Sequence, residues 1–141
     1  MMKIRKMNIE DYDEVYKLWA STGIQLKKSD EREEIEKMIN HNPDTCLVGE
    51  KDGKIISAVM GGFDGRRGMI HHLAVSPAYQ GRGFGKILLE KLELCFKKLG
   101  VIKTNLFVAA SNDQVVGFYN KLGYVKREEL ITMSKTLLEE W

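Results

Sequence analysis

The sequence predicts an α+β fold of mixed α/β content, with a mostly antiparallel sheet flanked by helices. Three observations predict it. Three strand-like segments, Thr45–Lys51, Lys54–Phe63 and Met69–Val75, follow one another, joined at Asp52-Gly53 and Asp64-Gly65. Such short turn dipeptides between apolar runs favour antiparallel neighbours. A glycine-rich loop and a long amphipathic stretch come next, Gly83 to about Leu99. The segment Lys103–Ala109 then returns after that helix, which makes it parallel to the strand before it.

The remaining elements follow in order. Lys3–Met7 alternates and reads as a first strand. Asn8 is a good N-cap, with Asp11 three residues on, for a helix from about Glu10 to Ser21. Its apolar positions Tyr12, Val15, Tyr16, Leu18 and Trp19 keep helical spacing. Ser29 or Asp30 is expected to cap a second helix reaching His41, with Ile35, Met38 and Ile39 inward. The run Asp30-Glu31-Arg32-Glu33-Glu34 gives it a solvated face and a favourable dipole interaction. The long helix carries Phe84, Ile87, Leu88, Leu92, Cys95, Phe96 and Leu99 as one apolar stripe, and Gly100 ends it. Asn112 is expected to cap a short helix to Leu122. Tyr124–Met133 is expected to be a last strand, and Ser134–Trp141 a short helix.

Composition narrows the functional classes. At 141 residues the chain has the length of one domain. A formal net charge of +2 is too small to point to nucleic acid or a membrane surface. No apolar run approaches a membrane span, and the N-terminus lacks the apolar core of a secretion signal. Cys46 and Cys95 have no metal-ligand spacing and sit in apolar surroundings, so they are expected to be reduced residues of a cytoplasmic protein, with no metal bound.

The chemistry is concentrated in Leu73-Ala74-Val75-Ser76-Pro77-Ala78-Tyr79-Gln80-Gly81-Arg82-Gly83-Phe84-Gly85-Lys86. A strand ends, three glycines follow, and a helix begins at once. Such a junction aims backbone N–H groups and the positive end of a helix dipole into one mouth. Arg82 and Lys86 add two cations. The loop suits a phosphate or pyrophosphate. It is not a Walker A loop, which spaces its glycines differently and ends in Lys-Ser/Thr. Nor is it a dinucleotide fingerprint, because the third glycine comes one residue early. Gln80-Gly81-Arg82-Gly83-Phe84-Gly85 does fit Gln/Arg-x-x-Gly-x-Gly/Ala. It resembles the acetyl-CoA loop of the GCN5-related N-acetyltransferases. Downstream, Asn112 is followed seven residues later by Tyr119, then Lys121, Gly123 and Tyr124. This resembles the second CoA motif of the same family, in the same order and at a normal separation.

The resemblance implies an acyl-CoA N-acyltransferase fold in one domain, residues 1–141, in which the strands Met69–Val75 and Lys103–Ala109 splay apart around acetyl-CoA. It implies that the backbone of Leu73, Ala74 and Val75 meets pantetheine. It places the amides of Gln80, Gly81, Arg82, Gly83, Phe84, Gly85 and Lys86 around the pyrophosphate. Asn112 would bond the pantetheine arm, and Tyr119 would protonate the departing thiolate. The acceptor would be a primary amine, with a homodimer left open as the assembly.

An attacking amine must be neutral. For a lysine-type amine with pKa about 10.4 this costs about 4 kcal/mol near pH 7.4, and far less for an α-amino group. Many relatives are expected to place a Glu where this chain has Met69. His71, two residues on, lies on the same side of a regular strand and is the first candidate base. Glu50 on a neighbouring strand is the second. His72 would point the other way. Acidic residues near Asp30 would suit a cationic acceptor, whereas Arg66 and Arg67 would suit an anionic one. The alternative class is a sensor or docking module that holds acyl-CoA without turnover.

Overall fold

The computed structural model describes residues Met1–Trp141, which group into two compact units, Met1–Leu106 and Phe107–Trp141. The first unit is a five-stranded sheet in sequence order, β1 Lys3–Lys6, β2 Cys46–Lys51, β3 Lys54–Phe63, β4 Gly68–Val75 and β5 Thr104–Leu106. The first three pairings are antiparallel and β4–β5 is parallel. The mixed sheet read from the sequence is the observed one. The β2–β3 turn works as its dipeptide predicts, with Asp52 at φ 52° and Gly53 at φ 76°. Positive φ at both central positions is the type I′ form of a tight hairpin turn.

Helix α1, Tyr12–Ser21, follows a 3₁₀ turn at Ile9–Asp11. Asn8 caps that turn, and the Asp11 side chain bonds back to the Asn8 N–H, which completes a capping box. Arg5 of β1 grips the Asp11 carboxylate with two 2.8 Å bonds and also pairs with Glu50. Helix α2, Arg32–His41, also follows a 3₁₀ turn, Lys28–Asp30. Its N-cap position is Glu31 rather than Ser29 or Asp30, and no side chain caps it. The Asp30 carboxylate instead accepts the Lys27 N–H at 3.0 Å and faces β4.

The sheet buries a different set of side chains on each face. Val15, Leu18 and Trp19 of α1 and Ile35 of α2 pack with Cys46, Val48, Ala58, Met60 and Ala74 of the strands. The opposite face takes α3, Phe84–Lys98, whose buried residues are Leu88, Leu89, Leu92 and Phe96. Of the expected stripe, Ile87 and Leu99 are exposed and Cys95 is half-buried, while Leu89 turns inward. Phe96 lies directly on strand backbone. A Cβ at Gly61 would come within 2.7 Å of its ring, and one at Gly68 within 2.8 Å. These two glycines set how closely α3 approaches β3 and β4.

The second unit holds a 3₁₀ turn at Ala110–Asn112 and α4, Val115–Lys121. Helix α4 starts later than expected, with Gln114 rather than Asn112 in the capping position. Neither the strand expected at Tyr124–Met133 nor the helix expected at Ser134–Trp141 forms. The run Lys126-Arg127-Glu128-Glu129 interrupts the alternation a strand needs, and these charges pair two apart, Lys126 with Glu128 and Arg127 with Glu129. The fifth strand is also shorter than Lys103–Ala109, because only Thr104–Leu106 finds a partner.

The glycine contacts yield a stability prediction. Gly68→Ala is expected to cost about 1–3 kcal/mol by overpacking against Phe96. Phe96→Leu in the same background is expected to return part of that loss. Urea unfolding followed by circular dichroism measures both. An unchanged midpoint for Gly68→Ala would mean that α3 can shift outward freely.

Candidate active site

The glycine loop lies between β4 and α3. After Val75 the chain makes a 3₁₀ turn, Pro77–Tyr79, and the Gln80 amide donates to the Val75 carbonyl at 2.9 Å. Gly81 and Gly83 both sit in the left-handed region, at φ 78° and 84°. A residue with a Cβ costs roughly 1–2 kcal/mol there. Helix α3 starts at Phe84 with Gly83 in the capping position and no side-chain cap. None of the backbone N–H groups from Gly81 to Lys86 donates to a protein acceptor, and the first helical bond runs from Ile87 to the Gly83 carbonyl. A row of unpaired donors at the positive end of a 15-residue helix suits an anion. The Arg82 guanidinium stacks 5.3 Å from the Tyr79 ring centre at its rim.

Strand β4 leads into this loop. It pairs with β5 only at Gly68, Met69 and Ile70, so the edge facing β5 has no strand partner from His71 to Val75. Leu73, Ala74 and Val75 therefore belong to an open backbone edge, of the kind that binds an extended, amide-bearing ligand. Against β3 the register slips. Met60 pairs with His71 and Ala58 with Ala74, so Val59 alone faces both His72 and Leu73. This is a β-bulge with one extra residue on β4, and His72 occupies it at φ 52°.

The bulge changes where the histidines point. His71 lies opposite Met60, on the α1–α2 face. His72 lies on that face too. Its ring packs edge-on against Trp19 at 5.0 Å between centres, and its Nε2 is 2.8 Å from the Asp30 Oδ1. The expected alternation, which sent His72 to the other side, fails because the bulge adds a residue. Asp30 is buried, at 7% exposure, and its backbone carbonyl accepts the Tyr12 hydroxyl at 2.7 Å. Burial alone would raise the Asp30 pKa. The His72 bond and the Lys27 N–H outweigh it and hold the carboxyl below its ordinary 3.8. The His71 ring is exposed at its surface, yet desolvation by the surrounding chain and the proximity of His72 lower its pKa, partly opposed by Asp30.

The other candidate base, Glu50, is engaged differently. Its carboxylate pairs with Arg5, on the β1–β2 side of the sheet. In the second unit, Asn112 is exposed and ends a 3₁₀ turn. Tyr119 is half-buried in α4 between Phe118 and Tyr124, with ring centres at 5.1 and 5.7 Å. Desolvation raises the Tyr119 pKa, which keeps its phenol protonated.

The sequence profile described as Acetyltransferase (GNAT) family matches residues 12–124. An acetyltransferase of Sodalis glossinidius is 37% identical over 139 residues, covering 99% of this chain and 98% of that protein. An uncharacterised N-acetyltransferase of Yersinia pestis is 39% identical over 137 residues, covering 97% and 96%. Among solved structures, the PaiA N-acetyltransferase of Thermoplasma acidophilum in complex with coenzyme A has the same fold, with a TM-score of 0.74 at 22% identity over 86% of this chain and 88% of that one. The glucosamine-6-phosphate N-acetyltransferase of Arabidopsis thaliana has a TM-score of 0.70 at 26% identity over 97% and 99%. An open β4 edge, a glycine loop of free amides and a family match across most of the chain meet in one conclusion: the chain belongs to the GNAT family of acetyl-CoA-dependent N-acetyltransferases.

Proposed function

We propose that this enzyme moves the acetyl group of acetyl-CoA to a primary amine, on a peptide or protein N-terminus or on a small molecule, by direct attack within a ternary complex. The observation that carries the reading is the uncapped start of α3, whose free amides follow two left-handed glycines. That arrangement fits the pyrophosphate of acetyl-CoA, with Gln80, Gly81, Arg82, Gly83, Phe84, Gly85 and Lys86 supplying backbone donors and two of them positive charge. The unpaired edge of Leu73, Ala74 and Val75 fits the pantetheine amides, and Asn112 would add a side-chain bond. A glucosamine-6-phosphate acetyltransferase among the structural neighbours supports an amine as acceptor. Two free thiols, Cys46 and Cys95, support a cytoplasmic location.

The chemistry follows from the charges that move. The neutral amine attacks the thioester carbonyl carbon and a tetrahedral oxyanion forms. Its collapse breaks the C–S bond and releases thiolate. Tyr119, kept protonated by desolvation, would donate its proton to that sulfur. Before attack the ammonium must lose a proton. His71 is a candidate acceptor, since its surroundings favour the neutral ring. Glu50 is the weaker one, because Arg5 already holds its carboxylate.

Turnover with a panel of amines tests this reading. The panel would contain free peptide N-termini, polyamines, amino acids and amino sugars, with product mass confirming acetylation. Acetylation of at least one class is expected, and Tyr119→Phe is expected to lower kcat roughly 10²-fold with CoA affinity nearly unchanged. Acetyl-CoA hydrolysis that no amine stimulates would overturn it. For the loop, Gly83→Val is expected to weaken CoA binding about 10-fold or more by calorimetry, with a native circular dichroism spectrum. The strained β-branched side chain would stand where the pyrophosphate meets the amides. Unchanged affinity would remove the pyrophosphate from this loop.

A further inference from the structure

The His72–Asp30 pair is the least expected feature of the first unit, since three independent features converge on one ring. The β4 bulge turns His72 onto the α1–α2 face. Trp19 fixes the plane of the ring from its edge. Asp30 binds its Nε2 from a turn 42 residues away in sequence. We propose that His72, oriented by Asp30, is the base that removes the proton from the acceptor amine. This rests on the amine reading above and names the residue that makes it work.

The tautomer follows from the partner. A carboxylate only accepts hydrogen bonds, so the hydrogen shared with Asp30 Oδ1 belongs to Nε2 of His72. In the neutral ring Nδ1 then carries the lone pair. No protein group bonds Nδ1, and it is not sealed from solvent. The arrangement is that of a carboxylate-oriented imidazole, the general form of an activated base. The position suits the role. His72 immediately precedes Leu73, in the part of β4 that has left β5 and lies open. The proton moves from the ammonium nitrogen to Nδ1. The N–H bond breaks, an Nδ1–H bond forms, and the new imidazolium faces the Asp30 carboxylate. The neutral amine then attacks the thioester and the C–S bond breaks; CoA leaves as the thiol with the proton Tyr119 gives to sulfur, the second proton shed by the nitrogen replaces it, and Nδ1 returns its own proton to water. Asp30 is the positioning residue.

The ionisable groups facing this ring are few. Asp30 comes from the turn before α2, His71 is the neighbour on β4, and Tyr12 of α1 holds the Asp30 backbone. His71 stands on the same face with no hydrogen-bonded orienter of its own.

Two measurements on the full chain test the proposal. The first is activity, with acetyl-CoA as donor and two acceptor probes, an alanine-starting tripeptide and a lysine amide blocked at its α-nitrogen. His72→Asn and His72→Gly both tolerate positive φ, so their folds are expected to persist. Each is expected to lower kcat/KM about 10²-fold or more, more for the lysine probe than for the tripeptide, with CoA affinity kept within about 2-fold. Added imidazole is expected to restore about 5-fold in His72→Gly, which a purely structural loss would not permit. Asp30→Asn is expected to fall between these and wild type. The second is nitrogen NMR of the free enzyme, in which the neutral form of His72 is expected to be the Nε2–H tautomer. Retention of more than half of wild-type kcat/KM in either His72 variant, or an Nδ1–H tautomer, overturns the proposal. If wild type acetylates neither probe nor any amine of the wider panel, the amine reading itself fails, and the NMR result still decides the proton arrangement of the pair.

Discussion

Strand β4 has to satisfy two neighbours that pull in different directions. It pairs with β3 from Gly68 to Val75, yet it must release β5 after Ile70. One extra residue, His72, lets it do both. A bulge raises the local twist and bends its strand, and this one falls where β4 no longer has β5 as a partner. The glycine loop, the start of α3 and the two histidines inherit their placement from this bend. The left-handed backbone at His72 is strained for a residue with a Cβ, and strain of this kind persists only where the surroundings over-determine it. Trp19 and Asp30 supply that constraint.

A second set of interactions keeps the frame rigid enough for the bend to be meaningful. Arg5 ties β1 to the start of α1 through Asp11 and to β2 through Glu50. Each bond lies partly out of water, where charged hydrogen bonds are stronger than at an open surface. Glu14 of α1 accepts the Ile55 N–H at 2.7 Å, pinning the helix to the start of β3. Helix α1 thus presents Trp19 to β4 from a fixed position. On the other face, α3 rests on Gly61 and Gly68 through Phe96, which fixes where its uncapped N-terminus emerges.

Much of this was legible in the residues, and the exceptions have physical causes. The hairpin at Asp52-Gly53 and the long helix announce themselves because turn chemistry and helical periodicity are local. The loop from Gln80 to Lys86 is legible because glycine is the residue that a left-handed backbone calls for. The bulge is not, because histidine rather than glycine fills its left-handed position, so alternation sends His72 to the wrong face. Asp30 departs from its expected capping role for a related reason. A carboxylate before a helix reads as a cap, and only the tertiary fold reveals that its partner is on β4. Tyr124–Met133 has apolar ends that suggest a strand, but four charges in its middle take the chain out of the ladder.

Binding of CoA in the proposed way requires the free amides at the start of α3 and the open edge of β4 to act as one ligand surface within the first unit. Amide chemical shifts during a titration of the 15N-labelled enzyme with CoA measure this directly. The account predicts the largest changes at Gly81, Arg82, Gly83, Phe84, Gly85 and Lys86, with a second group at Leu73, Ala74 and Val75, while the α2 amides hardly move. Saturable CoA binding that leaves the amides of Gly81 to Lys86 unmoved would contradict it.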